Sequence, residues 1–131
     1  MIARVPLASG LLTGKMNKQT QFVANDHRAF NRNGEAFDKG ETFSGVPYDV
    51  ALETVERIRP LVAPGFTVSQ LALAWILSND AITTVIPGAK NATQASANAG
   101  ADKYPPLSTS TLQQLKVIYD EKIRPHVHDL W

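Results

Sequence analysis

An α/β fold with parallel strands is expected from two short β-branched segments, each followed by glycine, and from helical periodicity between and after them. Strands that alternate with helices build right-handed βα units. A parallel sheet of that kind is covered on both faces and needs several neighbouring strands. Two strands do not complete one, so the 131 residues are expected to start part-way through a fold.

Ile2 to Leu7 reads as the first strand, closed by the Gly10 and Gly14 region. Residues 8–46 sustain no period; Asn, Asp, Gly and Lys dominate, broken by Phe22, Phe30, Phe37 and Phe43. A loop of that length is uncommon inside a compact domain, so it is either a functional lid or an unrecognised short helix. Its spaced phenylalanines predict that it packs on something.

Tyr48, Ala51, Leu52, Val55, Ile58 and Val62 then recur at helical steps, ended by Pro64-Gly65. Pro60 should kink that helix or shorten its last turn. Thr67-Val68-Ser69-Gln70 is a capping box, a hydroxyl N-cap with glutamine three residues on. The helix behind it carries Val68, Leu71, Ala72, Trp75 and Ile76 on one face. Leu73 and Leu77 widen that face, predicting burial on more than one side. Thr83 to Pro87 reads as a short buried strand stopped by Gly88. Asn91-Ala92-Thr93-Gln94 caps a helix through Asn98, and Pro105-Pro106 breaks the chain. Ser108 caps a last amphipathic helix on Leu112, Leu115, Ile118, Tyr119 and Ile123, with Pro125 as its expected end.

Composition narrows the function. Thirteen basic and twelve acidic side chains leave a formal charge of +1, with no basic block. Neither a nucleic-acid nor a membrane-surface partner is therefore expected. There is no cysteine, which excludes thiolate chemistry and disulfides from this stretch. The longest apolar run, Leu71 to Leu77, is far short of a membrane span, and the first residues lack a signal-peptide layout. A cytoplasmic protein is the expectation.

Two junctions carry candidate chemistry. At Ile86-Pro87-Gly88-Ala89-Lys90-Asn91 a strand ends in glycine and a capped helix follows at once. Free amides and the positive end of the helix dipole make such a start an anion site, with Lys90 as a cation at its lip. An ordinary βα loop with a solvated lysine has the same pattern. Pro6 to Lys15 holds two glycines, two hydroxyls and a lysine behind a strand, again suited to phosphate oxygens. It is not a Walker A loop: Ser9 stands where the first glycine belongs, and Met16 where the magnesium-binding hydroxyl belongs.

These stretches resemble the aldo-keto reductase family. Pro6-Leu-Ala-Ser-Gly-Leu-Leu-Thr-Gly-Lys15 is similar to its seventh-strand motif, and Gln70-Leu-Ala-Leu-Ala-Trp75 to the helix before its last strand. Ile86-Pro-Gly-Ala-Lys-Asn-Ala-Thr-Gln94 with Asn98 resembles the eighth-strand motif and the helix after it. The resemblance implies that residues 1–131 are the C-terminal, cofactor-binding part of a (β/α)8 TIM barrel, its last two βα units, incomplete in this chain. In that fold phosphate sites commonly form from the loops after strands seven and eight.

Carried over by position, the resemblance implies NADP, in preference to NAD, as cofactor. Leu7, Ser9, Gly10, Thr13 and Lys15 would line the pyrophosphate and nicotinamide ribose. Gly88, Ala89 and Lys90 would meet the adenosine phosphate, with Gln94 and Asn98 beside the adenosine. Arg4 either stacks on the nicotinamide ring in place of an aromatic residue or is a barrel-interior residue paired with a carboxylate missing from this chain. Ala97 stands where many members carry an acid, so one adenine hydrogen bond is in doubt.

The whole enzyme would reduce an aldehyde or ketone by hydride transfer. The family's catalytic Asp, Tyr, Lys and His set matches nothing here. Tyr48, Tyr104 and Tyr119 fall on helices or loops, Asp26-His27-Arg28 reads as a turn or local salt link, and His126-Val127-His128 lacks a third metal ligand. The isolated chain is therefore expected to be inactive and, with bare strand edges, to self-associate. A standalone nucleotide-binding or interaction module and a non-functional truncated product are the alternatives.

Overall fold

The computed structural model describes residues 1–130. Strand β1 (Ile2–Ala3) pairs in parallel with β2 (Thr84–Val85), Ile2 opposite Thr84 and Ala3 opposite Val85. Parallel pairing across some eighty residues makes the intervening chain a crossover, as the alternation of strands and helices implies. Both strands are shorter than their sequences suggest. β1 stops because Val5 turns to a positive φ of 44°. Residues 83–87 were expected to be buried, and they are not: Thr84 is exposed and Ile86 is 71% exposed. With one partner strand and no second covering layer, β-branched residues here have nothing to pack against.

Residues 8–46 hold a series of short helical turns. They comprise a 3-10 stretch at Ala8–Thr13, helix α1 (His27–Phe30), and further 3-10 turns at Lys39–Glu41 and Phe43–Gly45. A polar hub organises the middle of this segment. Asn31, fully buried, accepts from the amides of Ala36 and Phe37, both at 2.8 Å, and donates to Thr42 Oγ1 at 3.2 Å. A buried amide so completely paired costs little, whereas an apolar replacement would strand two backbone donors.

Phe43 is 1% exposed and anchors the main core with Leu11, Val46, Ala51, Leu52 and Val127. Its ring lies 5.0 Å from that of Tyr48 and 6.1 Å from that of Phe22. The long segment therefore builds the core together with helix α2 (Tyr48–Ile58) and the C-terminal helices. Phe30 and Phe37 pair with each other at the surface instead.

Pro60 ends α2 in a 3-10 turn, Arg59–Leu61, because it has no N–H to continue the ladder. Helix α3 (Val68–Leu77) starts on the Thr67–Gln70 capping box, with both reciprocal bonds made. Val68, Leu71 and Leu73 are buried, but Trp75 is 51% and Leu77 41% exposed. Burial thus fades toward the C-terminal end of α3. Helix α4 (Ala92–Ala99) begins on Asn91, whose Oδ1 accepts from the Gln94 amide at 2.9 Å.

Ser108 caps α5 (Thr109–Ile118), but Pro125 does not end it. A π turn over Tyr119–Ile123 shifts the hydrogen-bond register, and α6 (Arg124–Val127) continues with Pro125 in its first turn, where a missing N–H is tolerated. Among the described residues, no helix is long and apolar enough to cross a membrane.

Candidate functional site

The parallel register sets the two junctions side by side, and a cleft of about 680 Å³ opens between them. Leu7, Ser9, Gly10, Thr13 and Lys15 line it from the first junction. Gly88, Ala89 and Lys90, with Gln94 and Asn98 on α4, line it from the second. Only Arg4 of the expected site residues falls outside.

The first junction is a strained turn. Val5, Ala8 and Ser9 take φ of 44°, 46° and 54°, followed by Gly10 at 91°. A left-handed non-glycine residue costs roughly 1–2 kcal/mol, so the surroundings must hold this turn. They do so from several sides. The Gly10 amide donates to the Leu7 carbonyl at 2.9 Å, and Thr13 Oγ1 donates to the Gly10 carbonyl at 2.6 Å. Ser9 Oγ accepts from the Phe43 amide at 3.1 Å, tying the turn to the core.

The second junction is held by its own helix. Gln94 Oε1 accepts from the Lys90 amide at 2.8 Å, and Asn98 Nδ2 donates to the Gly88 carbonyl at 3.2 Å. Gln94 and Asn98 thus spend one polar atom each on shaping the loop. Nothing in the chain demands glycine at position 88. Its φ is not positive, and a Cβ built there would meet no atom within 4 Å.

Sequence reasoning missed Arg28, which also lines the cleft. Its Nη1 donates to the Ser9 carbonyl at 3.2 Å, and its guanidinium lies 4.6 Å from the centre of the Phe22 ring. Asp26 caps α1 through the Arg28 amide and accepts from the same guanidinium. Those hydrogen bonds from Arg28 hold the Asp26 carboxyl well below the usual carboxylate range, against a smaller opposing effect of burial. The Asp26-His27-Arg28 pattern was legible as a salt link; its place at the cleft depends on how residues 17–46 fold. Thr67 and Ser69, from the start of α3, complete the wall.

Arg4 requires a correction. It lies outside the cleft, and its Nη2 donates to both oxygens of a carboxylate within this chain, Glu41, at 2.8 and 2.9 Å. The chain leaves extended geometry at Val5, and Arg4 lies against the 39–41 turn with its side chain 76% exposed. Its partner is thus supplied by the chain's own long segment.

None of the tyrosines or histidines lines the cleft. Tyr48 donates to the Asn17 carbonyl, Tyr104 accepts from the Ala63 amide, and Tyr119 meets His128 Nδ1 at 2.9 Å. Among the described residues no cluster of His, Asp or Glu has the makings of a metal site. The cleft is lined by three cationic side chains, Lys15, Arg28 and Lys90, and Gln94 on the first turn of α4 reaches it as well. The charge of such a lining suits an anionic ligand, and no Asp, Glu, Tyr or His is part of it.

Comparison with known proteins identifies the family. The profile of the aldo/keto reductase family matches residues 1–120. A probable voltage-gated potassium channel subunit beta from Arabidopsis thaliana is 33% identical over 119 residues, 89% of this chain and 34% of that protein. The L-glyceraldehyde 3-phosphate reductase of Escherichia coli K12 is 32% identical over 130 residues, 99% of this chain and 35% of the enzyme. The chain thus spans about a third of the length of these curated relatives. With nearly all of its residues inside the family match, the chain belongs to the aldo/keto reductase family.

Proposed function

We propose that this chain is the NADP-binding part of an aldo-keto reductase whose complete (β/α)8 barrel reduces an aldehyde or ketone. The observation that carries this reading is the convergence of both junctions on one cleft with three cationic side chains. In it the turn after β1, Lys15 and Arg28 hold the pyrophosphate. Gly88, Ala89 and the α4 amides lie against the adenosine phosphate, and Lys90 meets the 2′-phosphate that distinguishes NADP from NAD.

The fit of residues to cofactor is favourable. At Gly88 nothing stands within 4 Å of where a Cβ would be, so the loop is open for a phosphate to lie against its backbone. Lys15, Arg28 and Lys90 carry charge opposite in sign to the pyrophosphate and 2′-phosphate of the cofactor. When bound, the nicotinamide supplies the hydride. The residues of this chain bind and orient the cofactor, and the proton donor to the carbonyl oxygen comes from outside the chain.

Calorimetric titration of NADP and NAD into the protein tests the reading, with NADPH oxidation by an aldehyde followed in parallel. Saturable NADP binding, tighter than NAD and without turnover by the chain alone, is expected. Binding of neither cofactor would overturn it.

A further inference from the structure

The first turn of α3 is bonded to both junctions at once. Ser69 Oγ donates to the Leu12 carbonyl at 3.2 Å, in the turn that follows β1. Gln70 Nε2 donates to the Ala97 carbonyl of α4 at 3.0 Å. The same Gln70 side chain closes the capping box, its Oε1 accepting from the Thr67 amide at 3.0 Å. Contact with the end of α4 is tight: a Cβ at Gly100 would come within 2.9 Å of Gln70 Nε2.

Beyond Ala97 the bonds continue to the ligand side of the loop. Asn98, the next residue, holds the Gly88 carbonyl at 3.2 Å, and Gln94 on the same helix holds the Lys90 amide at 2.8 Å. A short helix moves as a unit, so a shift at Ala97 is passed to Gly88 and Lys90 through these bonds. On the other side, Ser69 fixes α3 to the turn that carries Thr13 and Lys15.

From this geometry we infer that Gln70 is a positioning residue for the cofactor cleft. It acts as a crossbar that sets the distance between the two phosphate-facing junctions. The inference rests on the NADP reading given above. Its consequence is specific. A dinucleotide presents its pyrophosphate and its 2′-phosphate at a span limited by its covalent structure, so it requires the two junctions at matching separation. A ligand that occupies only one junction does not.

Titration of Gln70→Met with NADP and with adenosine 2′,5′-bisphosphate separates these cases. Methionine keeps the length of the side chain and removes its three hydrogen bonds, the one to Ala97 and the two to Thr67. NADP affinity is expected to fall about five-fold, the loss appropriate to one ordinary hydrogen bond. Affinity for the bisphosphate, which reaches only the second junction, is expected to stay within about two-fold. Ser108→Ala provides the stability control: it removes a helix cap at α5, where the Ser108 hydroxyl accepts from the Thr111 amide at 3.0 Å, remote from the cleft. It should lower Tm without changing NADP affinity. Equal losses for both ligands, an unchanged NADP affinity, or the same loss in Ser108→Ala would each overturn the crossbar. Failure of the wild-type chain to bind NADP would remove the underlying reading and the crossbar with it, a result distinct from these.

Discussion

Arg28 donates to both carboxylate oxygens of Asp26, through Nε at 2.9 Å and Nη2 at 2.6 Å, and this leaves Nη1 on the Ser9 carbonyl at the cleft. The arrangement is a bidentate pair between half-sheltered groups, stacked on Phe22. It immobilises a guanidinium that would otherwise sample many rotamers, so a ligand contact proposed for Arg28 would carry little further entropic cost.

Arg28→Ala should therefore weaken both cofactors. The pyrophosphate is common to NADP and NAD, and a sheltered charge-assisted contact contributes about 1.5–3 kcal/mol, or roughly ten- to hundred-fold. Parallel titrations check this. Loss for NADP alone would move Arg28 to the 2′-phosphate.

Lys90→Ala should behave differently. Lys90 is exposed at the start of α4, beside the position proposed for the 2′-phosphate. Exposure lowers its contribution, so NADP binding should weaken about ten-fold and NAD binding hardly at all. Raising the salt should shrink the difference. Equal losses for the two cofactors would make Lys90 a general electrostatic residue.

The Asp26 pair also predicts a response to acid. Arg28 depresses the folded-state pKa of Asp26 below the usual value of about 4. A depressed carboxylate contributes stability that is present above its unfolded pKa and lost as pH falls through the folded pKa. Asp26→Asn keeps an acceptor for the Arg28 amide but has no charge to lose. Its unfolding free energy should accordingly fall less steeply than that of wild type below pH about 4. Superimposable acid profiles in urea titrations would show that the pair contributes nothing.

What was legible in the sequence was local. Thr67, Asn91 and Ser108 were readable as caps because an N-cap is made by side chains within three residues of one another. Both junctions were readable as strand ends marked by glycine without reference to distant residues, and the structure sets them on one cleft. Arg4, Arg28 and Pro125 were not, for three reasons. The partner of Arg4 comes from thirty-seven residues away. Arg28 reaches the cleft only because Asn31 and Phe43 fold residues 17–46 back on the first junction. Pro125 is absorbed by a π turn, which leaves no mark in hydrophobic periodicity.

Exposed apolar surface leads to a further expectation. Ile2, Trp75 and Ile86 are 59%, 51% and 71% exposed, and each strand of the two-stranded sheet has one unpaired edge. Open edges and bare apolar residues favour association. Sedimentation velocity should show the mean mass rising with concentration. A compact monomer over a wide concentration range would indicate that this surface is self-sufficient.

NMR chemical-shift mapping of the chain on addition of NADP is the most direct measurement of where the cofactor sits. Shifts that saturate together at Ser9, Gly10, Thr13, Lys15, Arg28, Gly88, Ala89, Lys90 and Gln94 are expected, since these residues face the same cleft. Shifts confined to other surfaces, such as the groove between α2 and α5 lined by Pro60, Leu61 and Val117, would contradict the placement of the cofactor between the two junctions.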